Sequence, residues 1–213
     1  LWPKPLMPIG GRPLLEHWLQ SLQIAGIQEV LVNVHHHPDQ MLRFLQRSRF
    51  TEWVQAAYET RILGTARTLS ANRAFFAGHT TLLVHADNWC QCNLGAFLAF
   101  HRNERPEGCP ITMMTFDTSM PQTCGIVETD NEGIVTGFHE KVADPPGIRA
   151  NGAVYLLEPD VLEWMERRPE VVDFSTEVVP EFIGRIATWH NTEIHRDLGI
   201  AENLLLAQQD PCP

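Results

Sequence analysis

Residues 80–88 read Thr-Thr-Leu-Leu-Val-His-Ala-Asp-Asn, an apolar, strand-like run that stops abruptly at Asp87 and Asn88. Leu82, Leu83, Val84 and, past His85, Ala86 suit a strand buried on both faces, as in a parallel sheet covered by helices. In open α/β sheets, ligands gather outside the carboxyl ends of such strands. A carboxylate placed there can hold Mg2+ against a phosphorylated ligand, because hard cations take oxygen donors. The competing reading is local. Asp87 would then only cap a helix beginning near residues 93–94, since Asp and Asn are favoured at such turns.

The surrounding pattern supports an alternating fold. Residues 13–25 read as a helix with Leu14, Leu15, Trp18, Leu19 and Leu22 on one face and Gly26 as its stop. A buried strand is expected at 29–34, a helix opened by Pro38 at 38–48, and a strand at 53–58. A helix over 65–76 has Thr65 available as its cap, and another spans 94–102. After Pro110 the pattern turns strand-rich, with runs at 111–117, 124–130, 133–141 and 150–157. Helices at 159–167 and 175–184, a strand pair near 186–195 and a last helix over 200–208 complete the reading. Early alternation followed by a β-rich excursion implies an α/β chain: a Rossmann-like, doubly wound mixed sheet with helices on both faces and a small extra β element.

Composition narrows the function. A chain of 213 residues with 44% hydrophobic side chains can bury one sizeable core. Its net charge of −10, with no basic block, argues against a nucleic-acid surface, which needs clustered Lys and Arg. A small anion is still compatible where a few cations are placed locally. No apolar run approaches the roughly 18 residues of a membrane span, and no secretory signal is visible. The five cysteines (Cys90, Cys92, Cys109, Cys124, Cys212) are odd in number and scattered, which points to a reducing cytoplasm. Cys90 and Cys92 lie too close for the usual structural zinc spacing, so buried thiols are the simpler account of them, despite the run His35, His36, His37.

Several fragments carry chemistry. Prolines at 3, 5 and 8 restrain Lys4, and a fixed ammonium is useful against phosphate charge; the alternative is an exposed loop lysine. Gly10 and Gly11 read as a turn. In ETRILGTA, after Glu59, Gly64 and Thr65 stand at a helix entrance, where main-chain N–H groups can face an anion or a base edge; ordinary capping is the alternative. Glu140 and Lys141 form an adjacent acid and base at a strand end. Asn151 and Gly152 suit hydrogen bonding to hydroxyls where the backbone comes close. Asp197 precedes the last helix, either as that helix's cap or as a second carboxylate for the same cation.

The series PKPLMPIGG, LGTA, a strand ending in Asp-Asn, CGIVETD, FHEK, NGAVY and RDLGIAEN occurs in one order over nearly the whole chain. It resembles the sugar-phosphate nucleotidylyltransferase family, whose members join a nucleoside triphosphate to a sugar 1-phosphate and release pyrophosphate. The resemblance implies a single domain over 1–210, with a nucleotide part at 1–109 and a sugar-phosphate part at 110–210. It implies that Asp87 and Asp197 hold Mg2+, that Lys4 meets the nucleotide phosphates and that Lys141 meets the sugar phosphate. Gly64 and Thr65, with Glu59, would line the base and ribose. Gly125, Glu140, Asn151 and Gly152 would contact the sugar. Such chemistry needs no protein nucleophile, because the sugar phosphate is already anionic.

Glu59 ahead of LGTA looks guanylyl-like, with mannose- or heptose-type phosphates as partners, whereas Asn88 looks thymidylyl-like. The resemblance allows self-association, though no apolar stripe specifies it. Two departures stand out. Family members usually carry a buried strand and a Gly-rich, Arg-containing loop ahead of the PKP segment, and this sequence opens at Leu1-Trp2-Pro3-Lys4. Ala86 also stands where the family has Gly. A leading stretch missing from the sequence is one account of the first departure. The other is a non-catalytic sugar-phosphate or nucleotide-binding module.

Overall fold

The structure, a computed structural model, describes residues 2–199 and 201–212. The chain divides into two compact units that interleave along the sequence, where the sequence reading divides it at 109/110. One comprises Leu1–Ile62, Ala86–Leu94 and Ile194–Pro213; the other comprises Leu63–His85 and Gly95–Glu193.

In the first unit, a 3-10 turn over Lys4–Leu6 leads to a minimal hairpin, Pro8–Ile9 against Arg12–Pro13. Gly10 and Gly11 have φ of 54° and 82°, the left-handed pair that a two-residue hairpin loop demands. The expected first helix forms over Leu14–Ile24, and all five residues of its apolar stripe are buried. Val30–Val34 pairs in parallel with Val54–Tyr58, and the helix Pro38–Leu45 packs Met41, Phe44 and Leu45 into the same core. This pair is a separate two-stranded sheet. Val30–Val34 is only half-buried, with Asn33 exposed.

Asn88–Cys90 and His195–Asp197 pair antiparallel as a second short sheet. Trp18 fastens it to the first helix, its indole N–H donating to the Asn88 carbonyl at 2.8 Å. The helix Ala201–Ala207 follows; Ile200, with which the expected last helix begins, lies outside the described residues.

The second unit is built on a six-stranded sheet in the order Ile186–His190, Ile111–Asp117, Arg149–Leu157, Gly125–Thr129, Val135–Glu140, with Thr81–Val84 also paired to Arg149–Leu157. Ile186–His190 runs parallel to Ile111–Asp117, and the other pairings are antiparallel. Helices cover both faces. Ile111, Met113 and Ile186 face a core shared with the helices Thr65–Ala71 and Pro159–Glu166. Their neighbours Thr112 and Trp189 point the other way, to His101 and Phe97 of the helix Leu94–Asn103.

The structure departs from the sequence expectation at four elements. Thr81–Val84 is half-buried and antiparallel to its partner rather than a fully buried parallel strand, because Arg149–Leu157 runs against it. The helix expected over 65–76 breaks at Asn72 into Thr65–Ala71 and Arg73–Phe76. The helix expected over 175–184 is a π-turn, Phe174–Val178, followed by a 3-10 turn, Val179–Phe182, with Pro180 inside it. The strands near 186–195 do not pair with each other, since Ile186–His190 joins the large sheet and His195–Asp197 joins Asn88–Cys90.

Candidate functional site

In the first unit, Asp87 occupies the turn just before Asn88–Cys90. Because that strand separates Asp87 from the helix Leu94–Asn103, the capping account of Asp87 fails. Lys4 Nζ stands 4.0 Å from Asp87 Oδ2, so the proline-braced loop does bring its ammonium to this carboxylate. Asp197 is the register partner of Asn88, which sets it one ladder position from Asp87 although 110 residues separate the two in sequence. Its Oδ1 accepts from the Gly199 N–H at 2.7 Å, a local Asx turn that orients the carboxylate. Both acids reach solvent.

Glu59 lies at the carboxyl end of the parallel pair and is buried. Its N–H donates to the Val34 carbonyl, and its own carbonyl accepts from His35 Nδ1 at 2.8 Å, which fixes the imidazole tautomer with hydrogen on Nδ1.

The donor set at Asp87 and Asp197 fits Mg2+. It is oxygen-only and carboxylate-based. Among the described residues no cluster of three or more His, Cys, Asp or Glu is placed to hold a metal, so substrate phosphates and water would complete the shell, as Mg2+ prefers.

In the second unit, Gly125 faces Glu140 across one ladder, and the Ala150–Ile126 pairing places Asn151 beside Gly125 on its other side. Glu140, Gly125 and Asn151 therefore form a row over three adjacent strands. Only glycine fits in the middle, because a Cβ there would stand 2.5 Å from Glu140 Oε2 and 2.6 Å from the Phe138 ring. Lys141 takes a positive φ of 51° at the strand end, with its Nζ 3.6 Å from Glu140 Oε1.

A bulge between Asn151 and Tyr155, with Ala153 at φ 52°, turns the strand at this point. Asn151 Oδ1 accepts from the Ala153 N–H, and its Nδ2 donates to the Tyr155 hydroxyl at 2.6 Å. Burial pushes the phenol up to about 12, so it stays protonated and available to Ser175 Oγ, 3.4 Å away. Gly152 is buried beside Asn151.

Gly64 and Thr65 stand where the sequence put them, but their surroundings differ. Main-chain N–H groups at this helix entrance can face an anion or a base edge, yet those of Ala66 and Arg67 both donate to the Val172 carbonyl. Thr65 does not cap its own helix. Its hydroxyl accepts from the Phe174 N–H at 2.7 Å and donates to Asp173 Oδ2 at 3.3 Å. Burial alone would raise the Asp173 carboxyl, but bonds from Thr176 and Thr65 outweigh it and hold the group low. A side chain on Gly64, at φ 93°, would run into the Val172 carbonyl at 2.6 Å. The helix entrance is thus locked to residues 172–174.

Sequence reasoning overlooked Tyr155 and Asp173. A tyrosine inside an apolar strand is a usable signal, since its buried hydroxyl must find a partner. Asp173 carries a local signal as well, since its carboxylate caps the turn at Phe174–Val178 by accepting from the Thr176 N–H, but its bond to Thr65 spans more than 100 residues.

The chain matches the nucleotidyl transferase family over residues 2–211. It is 27% identical to a mannose-1-phosphate guanylyltransferase of Mycobacterium tuberculosis over 98% of its own length and 58% of that protein. It is 28% identical to a mannose-1-phosphate guanyltransferase of Schizosaccharomyces pombe over 85% of its length and 50% of that protein. The chain thus spans little more than half of these relatives. Its fold superposes on HddC from Yersinia pseudotuberculosis complexed with GMP-PN, with a TM-score of 0.81 at 18% identity, covering 98% of this chain and 89% of the other.

Proposed function

The chain belongs to the nucleotidyl transferase family, and from that premise we propose that it joins a nucleoside triphosphate to a sugar 1-phosphate with release of pyrophosphate. A phosphate oxygen of the sugar 1-phosphate attacks the α-phosphorus, the bond from that phosphorus to the bridging oxygen breaks, and pyrophosphate departs with the electron pair. Guanosine triphosphate and mannose 1-phosphate are the favoured pair, supported by the names of the relatives. The observation that carries the reading is the meeting of Lys4 with Asp87 and the pairing of Asn88, the residue after Asp87, with Asp197.

The barrier lies in bringing two polyanions together in line, so the protein's work is charge neutralisation and positioning. In this proposal Lys4 steadies the nucleotide phosphates, and Asp87 and Asp197 hold Mg2+. Bound there, Mg2+ would offset phosphate charge. Glu59, fixed by Val34 and His35, borders the base, and Gly64 and Thr65 are proposed as further nucleotide-binding residues. Glu140 and Asn151, with Gly125 and Gly152, take the sugar hydroxyls, and Lys141 takes the sugar phosphate. The protein works as a cytoplasmic enzyme on these two small ligands. Self-association is compatible with this chemistry and not required by it.

Pyrophosphate release, screened over five nucleoside triphosphates and several sugar 1-phosphates with Mg2+, tests the proposal. Release is expected to be fastest with guanosine triphosphate and mannose 1-phosphate. Binding of both ligands without release by any pair would replace the enzyme with a binding module.

A further inference from the structure

We propose that Asp210 is a positioning residue for the metal-binding pair, acting by tying together the two strands that present Asp87 and Asp197. The inference rests on the metal role proposed above and extends it to a residue that touches neither ligand nor ion.

The ladder presenting the two acids has only three register pairs: Cys90–His195, Trp89–Arg196 and Asn88–Asp197. A two-stranded sheet that short is marginal on its own. Its middle pair is the one that Asp210 holds. Trp89 Nε1 donates to Asp210 Oδ2 at 3.0 Å from one strand. From the other, Arg196 donates through Nε to Oδ2 at 2.7 Å and through Nη2 to Oδ1 at 2.8 Å. One carboxylate therefore bridges both strands, and its grip on the guanidinium is bidentate, the strongest form of such a pair.

The clamp is enclosed, with the Asp210 side chain 9% exposed and Trp89 1%. The Arg196 guanidinium keeps the Asp210 carboxyl below its ordinary range, and Trp89 adds to this. The neighbouring backbone is held as well, because Gln91 Nε2 donates to the Pro211 carbonyl and Gln208 Nε2 to the Pro8 carbonyl. Immediately beyond the clamped pair comes Asn88–Asp197, with Asp87 one residue further. Both Asp210 oxygens are taken by these donors, so it serves the metal site through the strands and not as a ligand.

The test is Mn2+ binding, followed by electron paramagnetic resonance with and without a non-hydrolysable guanosine triphosphate. It uses the full chain and Asp210→Asn, Asp210→Glu, Trp89→Phe, Asp87→Asn and Asp197→Asn, with circular dichroism giving the folded fraction of each. Removing partners that orient metal ligands commonly costs 10–100-fold in affinity, and a clamp acting one step further out should cost about 3- to 10-fold. Asp210→Asn is expected to weaken Mn2+ by that factor while still folded. Trp89→Phe should weaken it less, and Asp210→Glu should restore part of the loss. Wild-type affinity in Asp210→Asn, with affinity lost in Asp87→Asn, would overturn the inference and leave the metal reading standing. So would a loss that merely follows the folded fraction. Mn2+ binding that persists in both Asp87→Asn and Asp197→Asn, or is absent from the wild type, would overturn the metal reading and this inference with it.

Discussion

Around Asp87 and Asp197 the backbone is held by a three-pair ladder, an Asx turn and a few charged bonds, and the acids themselves reach solvent. Around Gly125 and Asn151 it is held by a six-stranded sheet in which Ile126, Ala150 and Tyr155 are wholly enclosed. The first region is set by charge and reach, and the second by volume. Substitutions should therefore behave differently in the two. Removing a charge in the first unit should spare the fold and abolish chemistry. Adding or removing a few atoms in the second should disturb recognition of one ligand and, at the enclosed positions, stability too.

The largest expected effect lies in the first region. Asp87→Asn and Asp197→Asn should each lower the rate of pyrophosphate release by about 100-fold or more, because each removes a carboxylate proposed to hold the Mg2+ that would offset phosphate repulsion. Thermal unfolding followed by circular dichroism should stay within about 2 °C of wild type, since changes at exposed positions away from the core are usually small. Near-normal turnover in either variant would break the contrast.

Next comes Gly125→Ala. Its Cβ would press on Glu140 and on the Phe138 ring, and packed sheets yield poorly to such intrusions. The KM for sugar 1-phosphate should rise about tenfold, with the KM for nucleotide changing less than about twofold, a split that initial-rate kinetics resolves. Equal changes in both would show that this row does not belong to one ligand.

Much of this architecture is legible in the sequence, and the losses have physical causes. The helix Leu14–Ile24 announces itself because a 3.6-residue apolar period needs no partner to be recognised. Thr81–Val84 is equally visible as a strand, yet an apolar run does not say which neighbour it will pair with or in which direction. Lys4, Asp87 and Asp197 were identifiable through a series of fragments, but the ladder joining Asn88 to Asp197 is a long-range pairing with no local mark. Thr65 reads as a cap because Gly-Thr before a helix is ordinary capping chemistry, and its true bonds reach Asp173 and Phe174, over 100 residues on. Asp210 falls in a polar tail that reads as nothing until Trp89 and Arg196 are seen to converge on it.

A smaller effect should sharpen the second region. Tyr155→Phe deletes the hydroxyl that accepts from Asn151 and leaves that amide with one bond fewer. Losing one buried hydrogen bond costs about 1 kcal/mol, or roughly 2–4 °C in Tm for a chain of this size. Differential scanning calorimetry should show that drop, accompanied by weaker sugar 1-phosphate binding. An unchanged Tm would mean that the Asn151–Tyr155 bond adds nothing net.

The smallest expected effect is in pH dependence, where the two regions should separate. His101 is buried in the second unit, with Nε2 donating to Glu158 Oε1 at 2.8 Å and Nδ1 accepting from the Thr112 hydroxyl at 2.6 Å. Burial lowers its pKa below 6.5 even though Glu158 pulls the other way. The unfolded chain therefore binds this proton more readily than the folded one, and stability falls as pH drops below 6.5. Asp210 has a depressed pKa, so its contribution is present above the ordinary carboxylate value of 3.8 and is lost only below it. Hydrogen exchange at pH 7.5 and 5.5 should show acid-induced loosening in the helix Leu94–Asn103 that His101→Gln removes. Loosening of Asn88–Cys90 should instead follow His17, which burial also holds below 6.5 and whose ring packs 4.9 Å from Trp89, and should persist in His101→Gln. Loosening confined to Asn88–Cys90 would reverse the assignment.

Asp87 and Asp197 are proposed to share one divalent ion. Anomalous diffraction from crystals grown with Mn2+ and a non-hydrolysable guanosine triphosphate tests it directly. A peak is expected with a carboxylate oxygen of each residue about 2.1 Å away, the distance typical of a small octahedral divalent cation. A peak bound by neither residue, with nucleotide present in the crystal, would contradict it.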